Sequence, residues 1–105
     1  MAVKGWQRAQ DPALLILTSL AAGPRHGYAL IRDIEEIADI TLGPGTLYGV
    51  LARLEEEGLV EALPAEDRRR PYRLTGAGAA ALAQRLRQAS VVVTTGLARL
   101  RGFPA

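Results

Sequence analysis

The 105-residue chain contains no cysteine. That excludes a disulfide framework, thiolate catalysis and thiolate-ligated zinc, and it agrees with a reducing, cytoplasmic setting. Histidine occurs once, at His26, and a single histidine does not make a zinc site; neither metal nor cofactor is expected. Long apolar runs are missing. None exceeds the five residues of Ala13 to Leu17, far too short to cross a bilayer, so no membrane partner is expected. No apolar stretch precedes Asp11-Pro12, so no signal peptide is expected. Phosphate-loop chemistry is absent too, because Gly43-Pro44-Gly45-Thr46 has no following lysine. Ser19 and Ser90 have no base nearby in sequence, and the acids fall on the polar faces of helices. An enzyme is not expected.

What is present is enough for one domain with one core, since hydrophobic residues make up 49% of the chain. The net charge of +2 is too small to name a partner, but its distribution is uneven. Residues 29–61 set eight acids against Arg32 and Arg53, whereas residues 62–105 set eight arginines against Glu66 and Asp67. Positive charge is therefore concentrated after residue 67, and three of those arginines, Arg68, Arg69 and Arg70, are consecutive.

The pattern predicts a helix starting at Asp11-Pro12, where Asp caps and Pro suits the first turn. It is apolar nearly all round, so it belongs in the centre of the core, and Gly23-Pro24 stops it. A second helix is expected from Gly27 to Ala38, with Leu30, Ile31, Ile34 and Ile37 as its buried stripe. A third runs from Pro44 to Glu57, with Leu47, Val50, Leu51 and Leu54 inward and Thr46, Tyr48, Gly49, Ala52 and Arg53 outward. Leu59–Leu63 and Tyr72–Leu74 read as a β-hairpin whose charged tip lies between Pro64 and Pro71. Thr75 can cap a last helix over Gly76–Arg101. Leu82, Leu86, Ala89, Val93, Leu97 and Leu100 repeat there nearly as a heptad seam. The stretch Val91 to Gly96 is poor helix material, which allows a break near Gly96 and calls for a partner; the partner inferred is a second copy of the chain.

The fold class expected is mainly α with a small β-hairpin: a winged helix-turn-helix over residues 1–75, then a C-terminal dimerisation helix over 76–105. In such a fold the third helix enters the major groove with its first turns foremost, and the wing lies on the backbone or in a minor groove. Arg68, Arg69 and Arg70 at the turn can then reach phosphates.

Three blocks carry a family resemblance: HGYALIRDIEE (His26–Glu36), LGPGTLYGVLARLEEEGLVE (Leu42–Glu61) and RRRPYRLTGAG (Arg68–Gly78). The chain resembles the PadR-type transcriptional regulators, winged-helix proteins named for control of phenolic acid decarboxylase. The resemblance runs from about Leu14 to Leu86. It implies a homodimeric regulator, a repressor in the usual case, that binds a pseudo-palindromic operator in double-stranded DNA and is often released by a small molecule. The chain departs from the family pattern at Gly43, where Ser or Asn is usual, and at Gly49, where Pro is common. Gly49 costs about 1 kcal/mol of helix propensity relative to alanine and thins the outward face, so that DNA shape would carry part of any specificity.

Candidate DNA contacts are Gly45, Thr46, Tyr48, Gly49, Arg53, Arg68, Arg69, Arg70 and Tyr28. Each has a plainer alternative. The arginine run could be neutralised by Glu66 and Asp67, and Arg53 could pair with Glu56 or Glu57. Thr46 could cap, and Tyr28 could close the core under the third helix. Tyr48 is excluded from the leucine stripe by its position, which favours a hydroxyl contact to phosphate. Tyr72 reads as packing, and His26 as a cap or hydrogen bond at a helix start, with phosphate the lesser option. A small hydrophobic effector would lie at the seam near Val93. The last helix has no aromatic residue before Phe103, so stacking there would have to use Trp6 or nothing, and chance packing is the plainer account of Trp6. The competing function is a winged-helix protein–protein interaction module without sequence-specific DNA binding, which the acidic segment 29–61 would serve.

Overall fold

The computed structural model describes residues 11–104. Among them the chain runs α1 (Pro12–Leu20), β1 (Arg25–His26), α2 (Gly27–Ala38), α3 (Pro44–Glu56), β2 (Val60–Ala62), β3 (Pro71–Leu74) and α4 (Gly76–Arg101). The α1 helix starts where Asp11 accepts a hydrogen bond from the Ala13 N–H at 2.9 Å, with Pro12 in the first turn. It is buried on several sides through Leu15, Ile16, Leu17, Ser19 and Leu20, and α2, α3 and α4 all pack on it. From α2 come Leu30 and Ile34, from α3 the four-residue stripe, from β2 Val60 and from α4 Leu82.

The sheet has three strands in the order β1-β3-β2, all antiparallel. Tyr72 on the central strand faces Arg25 on one side and Ala62 on the other. The hairpin expected from the sequence is present, and Arg25-His26 adds a third strand to it. Two residues are too few to show alternation, so nothing in their pattern marks them as strand. Their addition ties the wing to the start of α2.

Three further departures have simple causes. Ile37 lies half exposed at 50%, because the buried side of α2 narrows to Gly27, Leu30 and Ile34. The α4 helix continues unbroken through Gly96 to Arg101. Leu82, expected on the dimer seam, is 5% exposed and belongs to the chain's own core; the first turns of α4 are folded into the winged-helix unit. Of the residues expected on that seam, Leu86 is the first leucine that is exposed.

The joint between the sheet and α4 is close. Thr75 Oγ1 accepts from the Gly78 N–H at 3.0 Å and donates to the Gly58 carbonyl at 2.6 Å. Its N–H donates to the Leu59 carbonyl at 3.1 Å. Gly78 is buried, and a Cβ there would strike the Leu59 carbonyl oxygen, with the carbonyl carbon 2.9 Å away. Gly76, two residues earlier, has open space where a Cβ would stand, with nothing within 4 Å. Gly78→Ala is therefore expected to destabilise the fold by about 1–3 kcal/mol through overpacking against backbone. Gly76→Ala should stabilise it by about 0.4–1 kcal/mol through the unfolded chain. Urea denaturation of the two variants beside the parent chain measures both.

Candidate functional site

The rotation of α3 about its axis decides which residues it shows. Leu47, Val50, Leu51 and Leu54 are all buried, with Leu47 fully so. At 3.6 residues per turn the opposite side is centred on Gly45, Gly49 and Ala52, continuing to Glu56. The middle of the exposed face thus carries nothing larger than a methyl group for its first two turns. Thr46 and Arg53 stand on one flank and Tyr48 on the other, all three exposed. Gly43 gives α3 no side-chain cap and Pro44 occupies its first turn, so the amides of that turn are left facing outward.

Tyr48 is half exposed, at 50%, and its ring leans on the start of α2. A Cβ on Gly27 would collide with the Tyr48 hydroxyl, and would lie 2.8 Å from the ring carbon that carries it. Glycine at position 27 lets the two helices approach this closely. Tyr28 is 63% exposed and does not close the core. Its ring lies under the Arg32 guanidinium, 5.8 Å from carbon to centroid, at helical i, i+4 spacing.

The wing brings its arginines to the same place. Arg68, Arg69 and Arg70 line a hollow together with His26, Gly27, Tyr28 and Tyr48. Among the described residues none of the three arginines is within ion-pair distance of a carboxylate; the pairs present are Arg25–Asp33 and Arg73–Glu61. Arg53 makes no such pair either. It lies on the other side of α3, beside Ala13 and Glu57. The structure therefore gathers Tyr28, Tyr48, Arg68, Arg69 and Arg70 into one cluster, while Thr46 and Arg53 stay on the far flank. Val93 is exposed on α4, and Trp6 lies outside the described residues.

Arg25 and Asp33 belong to the cluster's frame and were not marked as such by the sequence, whereas the cap expected of His26 is present. Arg25 fixes the base of β1: its Nε–H donates to the Ser19 carbonyl at 3.3 Å and it faces Asp33 at 3.9 Å. Asp33 in turn accepts from the buried Ser19 hydroxyl at 2.6 Å. His26 caps α2, accepting from the Ala29 N–H. Tyr72, on the central strand, is half buried; burial first, and Glu55 next, push its phenol above the ordinary tyrosine value. It stays a neutral packing residue.

A family model described as the transcriptional regulator PadR-like family matches residues 16–84. The chain belongs to the PadR-like family of transcriptional regulators. Its fold is shared with solved structures. A transcriptional regulator from Clostridium thermocellum is 28% identical with a TM-score of 0.71, covering 79% of this chain and 86% of that one. A protein from Streptococcus mutans is 27% identical with a TM-score of 0.75, covering 90% of each chain. A PadR family transcription regulator from Clostridium difficile, at 22% identity and a TM-score of 0.76 over 85% of this chain and 97% of that one, shares the fold. In sequence, a 37.1 kDa protein of transposon TN4556 from Streptomyces fradiae is 51% identical over 71 residues. Those residues are 68% of this PadR-like chain but 21% of that relative, so the chain spans about a fifth of its length.

The wing tip of this PadR-like chain is a two-residue turn. Glu66 and Arg69 exchange backbone hydrogen bonds at 2.7 and 2.8 Å, and Asp67 and Arg68 between them have φ of 48° and 68°. Both are left-handed, as a type I′ turn requires, and glycine is favoured at the second position. Arginine there costs about 1–2 kcal/mol, part of which glycine would lose again through its freedom in the unfolded chain. Arg68→Gly is expected to raise stability by about 0.5–1 kcal/mol, read as a higher midpoint in thermal denaturation.

Proposed function

We propose that this chain is a homodimeric DNA-binding transcriptional regulator, a repressor acting on a pseudo-palindromic operator in double-stranded DNA, and not an enzyme. The observation that carries the reading is the shared hollow of Tyr48 from α3 and Arg68, Arg69 and Arg70 from the wing. Side chains from the two elements that a winged helix-turn-helix uses on DNA stand on one side of the molecule, without carboxylate partners. Gly45, Thr46, Gly49 and the first turn of α3 would face the major groove. The near absence of side chains along the middle of that face leaves little for base-edge readout, so affinity would come chiefly from phosphate contacts and part of the specificity from DNA shape. Arg53 would reach the backbone from the opposite flank. Tyr28, exposed beside Tyr48, joins the phosphate-facing set.

The division into a DNA-binding unit over 1–75 and a dimerisation helix over 76–105 belongs to the same proposal, with the first turns of α4 helping to build the first unit's core. The seam consists of Leu86, Ala89, Val93, Leu97 and Leu100. Leu86, Val93, Leu97 and Leu100 are 44–65% exposed in the single chain. A small hydrophobic effector would lie against this seam near Val93. The site of action would be the cytoplasm. Among the described residues no helix is long and apolar enough to cross a membrane.

Replacing Arg68, Arg69 and Arg70 together by alanine is expected to weaken binding to every duplex sequence alike. It should also flatten the plot of log affinity against log salt by about 0.9 for each phosphate that is no longer neutralised. A mobility-shift and salt-titration series on the DNA upstream of the chain's own gene tests this; an unchanged slope removes the wing from the interface. Absence of any shift at low salt, with a folded dimer, favours the protein-docking module instead.

Leu97→Glu places a charge in the centre of the seam. It is expected to convert a dimer to a monomer in sedimentation equilibrium, lowering thermal stability at the same time, because α4 beyond Leu82 then has no apolar cover. A variant that still sediments as a dimer would move the interface elsewhere.

A further inference from the structure

Among the described residues, Ser19 is the one polar side chain buried in the core, 1% exposed. A hydroxyl taken out of water is costly unless it is bonded. Its partner is Asp33 of α2, whose Oδ2 accepts from Ser19 Oγ at 2.6 Å. The other carboxylate oxygen, Oδ1, faces Nη2 of Arg25 in β1 at 3.9 Å. Arg25 leads back to the starting residue, its Nε–H donating to the Ser19 carbonyl at 3.3 Å. These contacts close a ring through α1, α2 and β1, in which each member is fixed by the other two.

The helices do not depend on this ring, because α1 and α2 already pack through the apolar core. The strand β1 is different. It is an edge strand of two half-buried residues, bonded on one side only, to β3, and neither residue belongs to the core cluster. The ring is its side-chain tie to α1. From there the connection reaches the wing: Arg25 pairs with Tyr72 and His26 with Pro71, and Pro71 directly follows Arg68, Arg69 and Arg70. The charged end of the ring lies near the surface, with the Arg25 and Asp33 side chains 31% and 21% exposed. Such a pair adds little stability. What it fixes is direction.

We infer that Asp33 is a positioning residue for DNA binding. Anchored on Ser19, it holds Arg25, and through β1 it sets where Arg68, Arg69 and Arg70 stand relative to α3. The inference rests on the DNA-binding reading and adds to it a residue that repels phosphate and acts only through its neighbours. Without Asp33 the wing would have to be ordered as the duplex binds, which lowers affinity.

The test uses the full chain. Asp33→Asn keeps an oxygen to accept from Ser19 but removes the charge that faces Arg25. Arg25→Met removes the same pair from the other side, so that one of the two serves if the other does not fold. Ile16→Val, in the apolar core, controls for a general loss of stability. In fluorescence anisotropy with a random-sequence duplex, Asp33→Asn and Arg25→Met should each lower affinity about three- to tenfold. The double variant should lose no more than either single one, and Ile16→Val should bind like the parent. Removing an acid would by charge alone raise affinity for DNA, so a loss in Asp33→Asn identifies geometry. In chains with Arg68, Arg69 and Arg70 replaced by alanine, that loss should vanish, because no basic tip is left to place. Backbone hydrogen exchange should quicken in β1 and β3 of Asp33→Asn and stay unchanged in α3.

Parent-like affinity in both single variants overturns the positioning role while leaving DNA binding intact. The same holds for an Asp33→Asn loss that persists without the tip arginines, or an equal loss in Ile16→Val. A folded parent chain that does not bind duplex at low salt overturns the DNA-binding reading. The exchange measurement then decides separately whether Asp33 holds the wing, and unchanged exchange in β1 and β3 overturns that too.

Discussion

Burial of the α3 stripe is the constraint on which the rest of the molecule depends. Leu47, Val50, Leu51 and Leu54 fill the space between α1, α2 and β2, and each is worth about 1.5–3 kcal/mol in burial. Turning α3 by one residue would trade buried leucine for glycine, tyrosine or glutamate, at a cost of several kcal/mol. The helix therefore has one rotation. That rotation alone determines that Gly45, Gly49 and Ala52 look outward, that Tyr48 leans toward α2 and the wing, and that Arg53 is carried to the α1 side. Placement of the candidate interface follows from core packing, with no polar contact needed to arrange it.

The wing is held to that frame from both ends. At its base, Thr75 and Gly78 lock β3 and α4 onto the turn after α3 through the Gly58 and Leu59 carbonyls. On its other edge, β1 pairs with β3, and Arg25 connects that strand to Ser19 in α1 and Asp33 in α2. The cross-strand Arg73–Glu61 pair adds little, being exposed. A two-stranded ribbon alone is marginal in water; a third strand and two backbone anchors make the tip's position a property of the domain. His26 sits where these supports meet, which is why one side chain can cap a helix and still touch the wing.

Most of this frame was legible in the sequence because it is written in long periodic signals. The α3 stripe, the Asp11 and Thr75 caps, the Pro44 start and the α2 span all follow from spacing and end chemistry. What escaped was short or depended on distant partners. Arg25-His26 is too brief to alternate. Leu82 shares its periodicity with the seam residues beyond it, and only the tertiary fold shows that its turn of α4 is enclosed. Tyr28 could be drawn inward or outward until the closeness of Tyr48 to Gly27 was known. The turn at Asp67-Arg68 has none of the glycine or asparagine that usually announces type I′, so its geometry could not be read from residue type.

Those silent places have something in common: local preference is overruled there. Arg68 takes a left-handed backbone that glycine would adopt without strain, and α3 carries Gly45 and Gly49 where stronger helix formers would stabilise it. Beyond Leu82, α4 maintains a helix through Val91–Gly96 with its apolar residues exposed. Each departure lowers the stability of the isolated chain, and each falls on the wing tip, the outward face of α3 or the seam. Sequences tend to be locally consistent except where function intervenes. Arginine at the strained tip extends positive charge to the farthest point of the wing. Glycines on α3 bring its backbone closer to whatever it meets, and exposed leucine and valine on α4 call for an apolar cover. In the proposed arrangement, a pair of chains bound along a duplex, all three costs would be recovered together, which no single one of them would require by itself.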